Sequence, residues 1–228
     1  MLTRNVNILA GFTVKELLNR RILQVLFLLF MLFLLSIPLW KHFAPETEAT
    51  VLADFGAGLV GFFLLMVSLV TTSDMLPRDH EEGRGAYFWA HAMTRKDYLL
   101  GRALGCFLFL TFSFVLLLGM LKIFFVLKGW PFLFWPSLFL LLKYFILSAF
   151  LFAISPLIER FSAVFLGLAF YFFASSLSTL SLLAGESKNP GLQLFVKTIG
   201  NLLPHFEVFD AAAAAPQWLY GSKAVLYG

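Results

Sequence analysis

The chain has 228 residues and a formal net charge of +4; 60% of the residues are hydrophobic, and the mean hydropathy is +0.86. Its apolar residues fall in blocks too long for a soluble core to bury, which makes lipid the solvent for most of the chain and gives nucleic-acid binding no support. The single cysteine, Cys106, excludes an internal disulfide framework and a cysteine metal site, and reads as a packed thiol.

In chain order, the first expected element is a helix before residue 22. Val6, Ala10, Val14, Leu17 and Leu18 share one helical face, Arg4, Lys15, Glu16 and Asn19 lie opposite, and Ile8 and Phe12 fall off the pattern. This suits a helix lying on the membrane surface; an ordinary lead-in to the first span is the alternative. Helical crossings need roughly 20 apolar residues each and satisfy their own backbone hydrogen bonds without water. Five such runs are expected, at 22–40, 53–75, 99–123, 132–157 and 163–183. The first is too long for a signal-peptide core and lacks a small-residue cleavage site, so it reads as a retained span. Asp54 and Asp74 flank the second span and are expected at headgroup level.

Lysines and arginines orient the spans, because short cytoplasmic loops hold an excess of them. Arg4, Lys15, Arg20 and Arg21 precede the first span, Arg78, Arg84, Arg95, Lys96 and Arg102 follow the second, and Arg160 follows the fourth. The opposite side carries more dispersed lysines, mixed with Glu46, Glu48, Glu186, Glu207 and Asp210. The amino terminus is therefore expected in the cytoplasm. The stretch 184–228 is broken by Pro190, Pro204 and Pro216 and is expected to form short outer re-entrant or interfacial helices, with Trp218 and Tyr220 at the interface.

Missing groups narrow the chemistry. There is no GxxxxGK[ST] phosphate loop, so the chain is not expected to hydrolyse ATP, and neither an HExxH nor a GxSxG motif occurs. His42, His80, His91 and His205 lie outside the spans and do not pair at helical spacing, which argues against a haem. No enzyme activity and no bound metal are expected. Inside the spans the main ionisable residue is Lys143, which either snorkels to the interface or lines a substrate path. Ser175, Ser176, Ser178, Thr179 and Ser181 form a polar band that suits a cavity wall or close helix packing.

The connector at 76–98 concentrates charge. Its end, Thr94 to Asp97, reads as a capping box: the Thr94 hydroxyl accepts from the Asp97 amide while the carboxylate reaches back. Ahead of it, Tyr87, Phe88 and Trp89 sit between charged clusters, as in a short helix with a surface to touch; lipid headgroups are the other candidate surface.

With "KELLNRR" closing the first helix, "SLVTTSDMLPRDHEEGRG" closing the second span and "AMTRKDYLLGRALG" opening the third, the chain resembles the permease subunit of type-2 ABC exporters, especially the nitrous-oxide reductase maturation permease branch. The resemblance runs from about Val14 to Asp210. It implies an all-α polytopic protein of the bacterial inner membrane whose 82–93 segment is a coupling helix docked on a separate ATP-binding subunit. Glu81, Glu82, Arg84 and His91 would make polar contacts there, Tyr87, Phe88 and Trp89 would fill a groove, and Thr94 would pass movement to the third span. Glu159 and Arg160, in "ERFS", would form a second contact. Lys143, Ser175, Ser178 and Thr179 are the candidate pathway residues. ATP and magnesium would sit on the partner ATPase, with no cofactor on this chain; a second permease chain and membrane lipid complete the expected partners. Met93 stands where the family often has proline, and the family's sixth span has no counterpart before Gly228, so a truncation or a helix from another subunit is expected to account for it. A non-transporting anchor or scaffold subunit is the alternative function, and a secondary carrier is disfavoured by the few midplane charges.

Overall fold

Away from water, a helix is the arrangement that lets one segment satisfy its own amides and carbonyls, and every described element takes it. The computed structural model describes residues 2–40, 48–83, 94–127, 135–186, 190–202, 204 and 206–209. In chain order these hold α1 (Leu2–Leu18), α2 (Arg21–Trp40), α3 (Glu48–Glu81), α4 (Arg95–Leu127), α5 (Trp135–Ile154), α6 (Arg160–Ser175), α7 (Leu177–Glu186) and α8 (Pro190–Leu202), with no strand among the described residues.

Gly58–Glu81 of α3 and Arg95–Ile123 of α4 are each long and apolar enough to cross a membrane. The pairs α1/α2 and α6/α7 pass the same test only as bent pairs, with bends of 60° and 59°, which brings the candidate spans to between two and four. Leu138–Ile154 of α5 is a shorter apolar helix. The chain is thus an all-helical protein with the material to span a membrane. Two differences from the sequence expectation matter. The helix holding the second apolar run does not stop at Met75 but continues as α3 to Glu81, ending at Gly83 with a φ of 65°, the left-handed conformation that glycine adopts most readily at a helix end. The run at 163–183 is not one straight helix: it breaks at Ser176, whose carbonyl accepts from the Leu180 amide at 2.9 Å to start α7.

Packing divides the chain into two units, one formed by Met1–Phe132 with Tyr144–Val164 and the other by Leu133–Lys143 with Phe165–Gly228. In the first, α1 lies along α4, and α3 packs on both α4 and α2. Its apolar centre is Leu17, Leu23, Val67, Met75, Cys106, Phe109 and Leu110. Cys106 is buried, with its Sγ 3.5 Å from Met75 Sδ, as a packed thiol should be. Thr71 and Thr72 turn their hydroxyls onto the carbonyls of Val67 and Ser68, and Ser68 meets Ser148 of α5 at 2.7 Å, so these buried hydroxyls are satisfied without water. In the second unit α7 packs on α8, and Phe206 lies edge-on to Phe170.

Glycine sets the approach of α1 to α4. A Cβ on Gly105 would lie 2.5 Å from Thr13 Cβ and 3.0 Å from the Ala10 carbonyl oxygen, and one on Gly101 would lie 2.8 Å from Leu9 Cδ2. The two glycines stand four apart on one face of α4, the small-residue spacing that lets membrane helices meet backbone to backbone. Leu9, Ala10, Thr13 and Leu17 are therefore the buried face of α1, whereas Leu18, expected on that face, is exposed. Ile8 and Phe12, which broke the sequence pattern, belong to the outer side.

Elsewhere in a helix, glycine to alanine stabilises by roughly 0.5–1 kcal/mol. At Gly105 the sign should reverse, because Thr13 and the Ala10 backbone must move; Gly105→Ala is expected to cost about 1–3 kcal/mol. Gly119→Ala, where a Cβ meets nothing within 4 Å, should be neutral or stabilising. Equilibrium unfolding of both variants in detergent measures the contrast.

Candidate functional site

Arg102 lies one turn after Tyr98 in α4, inside an otherwise apolar stretch, and its side chain is 0% exposed. A buried guanidinium needs carboxylates and hydrogen bonds to offset lost hydration. It finds them on two other helices: Arg102 Nη2 donates to Asp79 Oδ1 of α3 at 2.6 Å, and Nη1 donates to Glu16 Oε2 of α1 at 2.8 Å and to Thr13 Oγ1 at 3.2 Å. The Tyr98 hydroxyl donates to the other oxygen of Asp79. The Phe12 and Tyr98 rings each lie 5.9 Å from the guanidinium carbon, so an aromatic outlier of α1 covers the charge.

From this hub the charges continue in alternating sign towards the surface. Glu16 also meets Arg20 at 3.5 Å, Arg20 reaches Asp74 at 2.8 Å, and Asp74 reaches Arg160 at 3.0 Å. Arg160, the first residue of α6, closes the series on Glu81 at the end of α3. Local geometry places each member. Thr13, Glu16 and Arg20 follow at steps of three and four along α1 and the corner after it, while Asp74 and Glu81 stand two turns apart on α3. Pro77 lies between them. Having no N–H, it leaves the Ser73 carbonyl without its usual helical donor, and Arg160 bridges the interval through the two carboxylates.

This arrangement revises several expectations. Asp74, expected to reach headgroups, is paired with Arg20 and Arg160. Glu16 is not on a solvated face of α1 but turned into the ion pairs. Arg102, grouped by sequence with the loop cations, is the most buried member. Its place three residues inside an apolar run was the available signal.

Among the residues that resemblance assigned to ATPase contact, the structure joins Glu81 to Arg160 and pairs Glu82 with Arg78 at 2.7 Å. Glu159 is exposed, and its carbonyl accepts from the Ala163 amide at 2.9 Å to begin α6. Thr94 Oγ1 accepts from the Asp97 amide at 3.2 Å, the first half of the expected cap; Asp97 Oδ1, expected to return the bond, is buried with no hydrogen-bond partner among the described residues. Arg84, Tyr87, Phe88, Trp89 and His91 lie outside the described residues.

Of the candidate pathway residues, Lys143 meets α6 one turn before Ser175. Lys143 is 2% exposed, so its amine does not snorkel outward; Nζ lies 4.7 Å from the Tyr171 ring centre and 5.5 Å from that of Phe206, within 3.4 Å of the Tyr171 hydroxyl. Ser175 closes α6 with a buried hydroxyl oxygen that has no hydrogen-bond partner among the described residues, Thr179 is exposed on α7, and Ser178 lies in α7. Among the described residues no group of three or more His, Cys, Asp or Glu is placed to hold a metal ion. Glu16, Asp74 and Asp79 instead engage arginines. No protein-family model and no curated protein matches the chain.

Removing one partner of a buried pair strands the other charge, at a cost of about 3–5 kcal/mol, whereas an exposed pair contributes about 0–1 kcal/mol. Arg102→Leu should therefore lose most of the folded fraction in mild detergent, and Arg102→Leu combined with Glu16→Gln and Asp79→Asn should recover part of it. Arg160→Gln should unfold within about 1 kcal/mol of wild type. Denaturant titration followed by helical circular dichroism ranks the three.

Proposed function

We propose that the chain is the membrane permease subunit of an ATP-driven exporter of the type-2 ABC class, working with a separate ATP-binding subunit and a second permease chain. The observation that carries this reading is the contact of Arg160 with Glu81 and Asp74. A membrane subunit driven by an external ATPase must offer it a polar surface that connects to the crossing helices. The end of α3 and the start of α6, which resemblance assigns to the two ATPase contacts, are bonded to each other and linked by alternating charges to the buried Arg102. While these pairs are closed, force applied at either contact reaches α1, α3 and α4 together. In this reading five crossings place the amino terminus and the ion pairs on the cytoplasmic side of a bacterial inner membrane, with 184–228 outside.

ATP serves as a bias between arrangements: closure of the ATPase favours one permease conformation by its differential binding energy. The aromatics Tyr87, Phe88 and Trp89 are assigned to the ATPase groove, where a buried anchor commonly contributes about 2 kcal/mol or more.

Copurification tests the proposal. An ATP-binding subunit carrying a phosphate loop and encoded beside this chain should copurify with it, and Trp89→Ala should weaken that association roughly thirtyfold, at tenfold per 1.4 kcal/mol. Absence of any such ATPase from the purified complex, or wild-type association of the alanine variant, would refute this assignment.

A further inference from the structure

We propose that Arg160 is a separable latch: its pairs with Asp74 and Glu81 open and close the turn between α5 and α6 against a block of α1, α3 and α4 that Arg102 keeps locked. The two parts of the ion-pair series differ in what water and salt can do to them. Arg102 is 0% exposed and Asp79 5%, and neither can exchange its partner for solvent without first separating the helices. Steric packing reinforces this lock, since Gly101 and Gly105 hold α1 against α4 with no room to slide a side chain between them.

Arg160 is 39% exposed and Glu81 61%. Water can replace either partner at the moment of parting, which is why such pairs are weak and are screened by salt. Asp74 is intermediate at 26% and keeps Arg20 as a second partner at 2.8 Å when Arg160 leaves. Release of Arg160 therefore strands no buried carboxylate. From α3, Arg78 also faces this point: it pairs with Glu82 at 2.7 Å and attracts Asp74 as well, a further charge that stays with Asp74 when Arg160 leaves.

Position supplies the lever. Arg160 opens α6 directly after the turn that follows α5, and hydrogen bonds from Ser155 to Leu151 and from Leu157 to Ile154 hold the start of that turn to the end of α5. Its two carboxylates stand on either side of Pro77, so closing the latch also braces the last turn of α3 where the proline has removed a backbone bond. With the latch open, Asp79 still holds that turn to Arg102 and Tyr98. The movable element is the α5–α6 turn alone. This is a property of the chain itself and does not depend on the exporter assignment.

Spin-label pairs on the full chain in nanodiscs test it, with Cys106→Ser as background. Labels at positions 80 and 161, both exposed and next to the latch, report its opening; labels at 15 and 96, exposed on α1 and α4, report the block. Arg160→Gln should lengthen and broaden the 80–161 distances and leave the 15–96 distances superimposable on wild type, which also shows that the variant is folded. Arg160→Lys, which keeps the charge, should restore part of the short population. Raising salt from about 0.1 M to about 1 M, where the screening length falls from about 10 Å to about 3 Å, should mimic Arg160→Gln. If the 80–161 distances stay at their wild-type values under both treatments, or if the 15–96 distances shift with them, the latch is overturned.

Discussion

A guanidinium withdrawn completely from water governs the arrangement of the first unit. Arg102 cannot remain charged inside an apolar helix bundle unless carboxylates come to it, and Glu16 and Asp79 lie on different helices. Satisfying that one side chain requires α3 to continue past its apolar run as far as Asp79. It requires α1 to lie along α4 with Thr13 and Glu16 turned inward. That proximity in turn requires glycine at 101 and 105, since any side chain there would hold Glu16 away from its partner. Charge, helix length and backbone spacing are consequences of the same constraint.

Such a cluster is an uncertain source of net stability, because desolvation of buried ions offsets much of their attraction. Its stronger effect is on specificity. An apolar residue at 102 would pack against many neighbours equally well, whereas the guanidinium accepts only the register in which both carboxylates and the Thr13 hydroxyl are within reach. The aromatic cover from Phe12 and Tyr98 belongs to the same register. Lys143 shows a different solution, an amine set among Tyr171 and Phe206 in the second unit.

Hydropathy made the helices legible because period and length are local properties: the long apolar runs fall within α2, α3 and α4, and the Thr94 cap and the packing of Cys106 could be read from a few neighbouring residues. What the sequence concealed was non-local. Glu16 and Arg102 are 86 residues apart and Asp79 and Arg102 are 23 apart, so nothing in either neighbourhood announces the pairing. Ile8 and Phe12 blurred the face of α1 because that helix has two apolar surroundings, α4 on one side and an outer face on the other. The break at Ser176 was hidden because serine and threonine are tolerated both in continuous membrane helices and at their interruptions. The contact roles proposed for residues at 84–93 rest on resemblance alone.

The close seating of α1 on α4 has a consequence for biosynthesis. The hydrogen bond from Arg102 to Thr13 spans 89 residues, so α1 leaves the ribosome long before the helix that receives it. Until α4 is in place, Thr13 has no guanidinium to meet, Glu16 has Arg20 but not Arg102, and α1 has no glycine surface to enter. It must wait in a provisional position, and its charged and apolar sides suit it to the lipid–water boundary in that interval. Docking of the amino-terminal helix is then a late step, gated by insertion of a segment encoded far downstream. A fault in α4 would leave the start of the chain undocked even though its own sequence is unchanged.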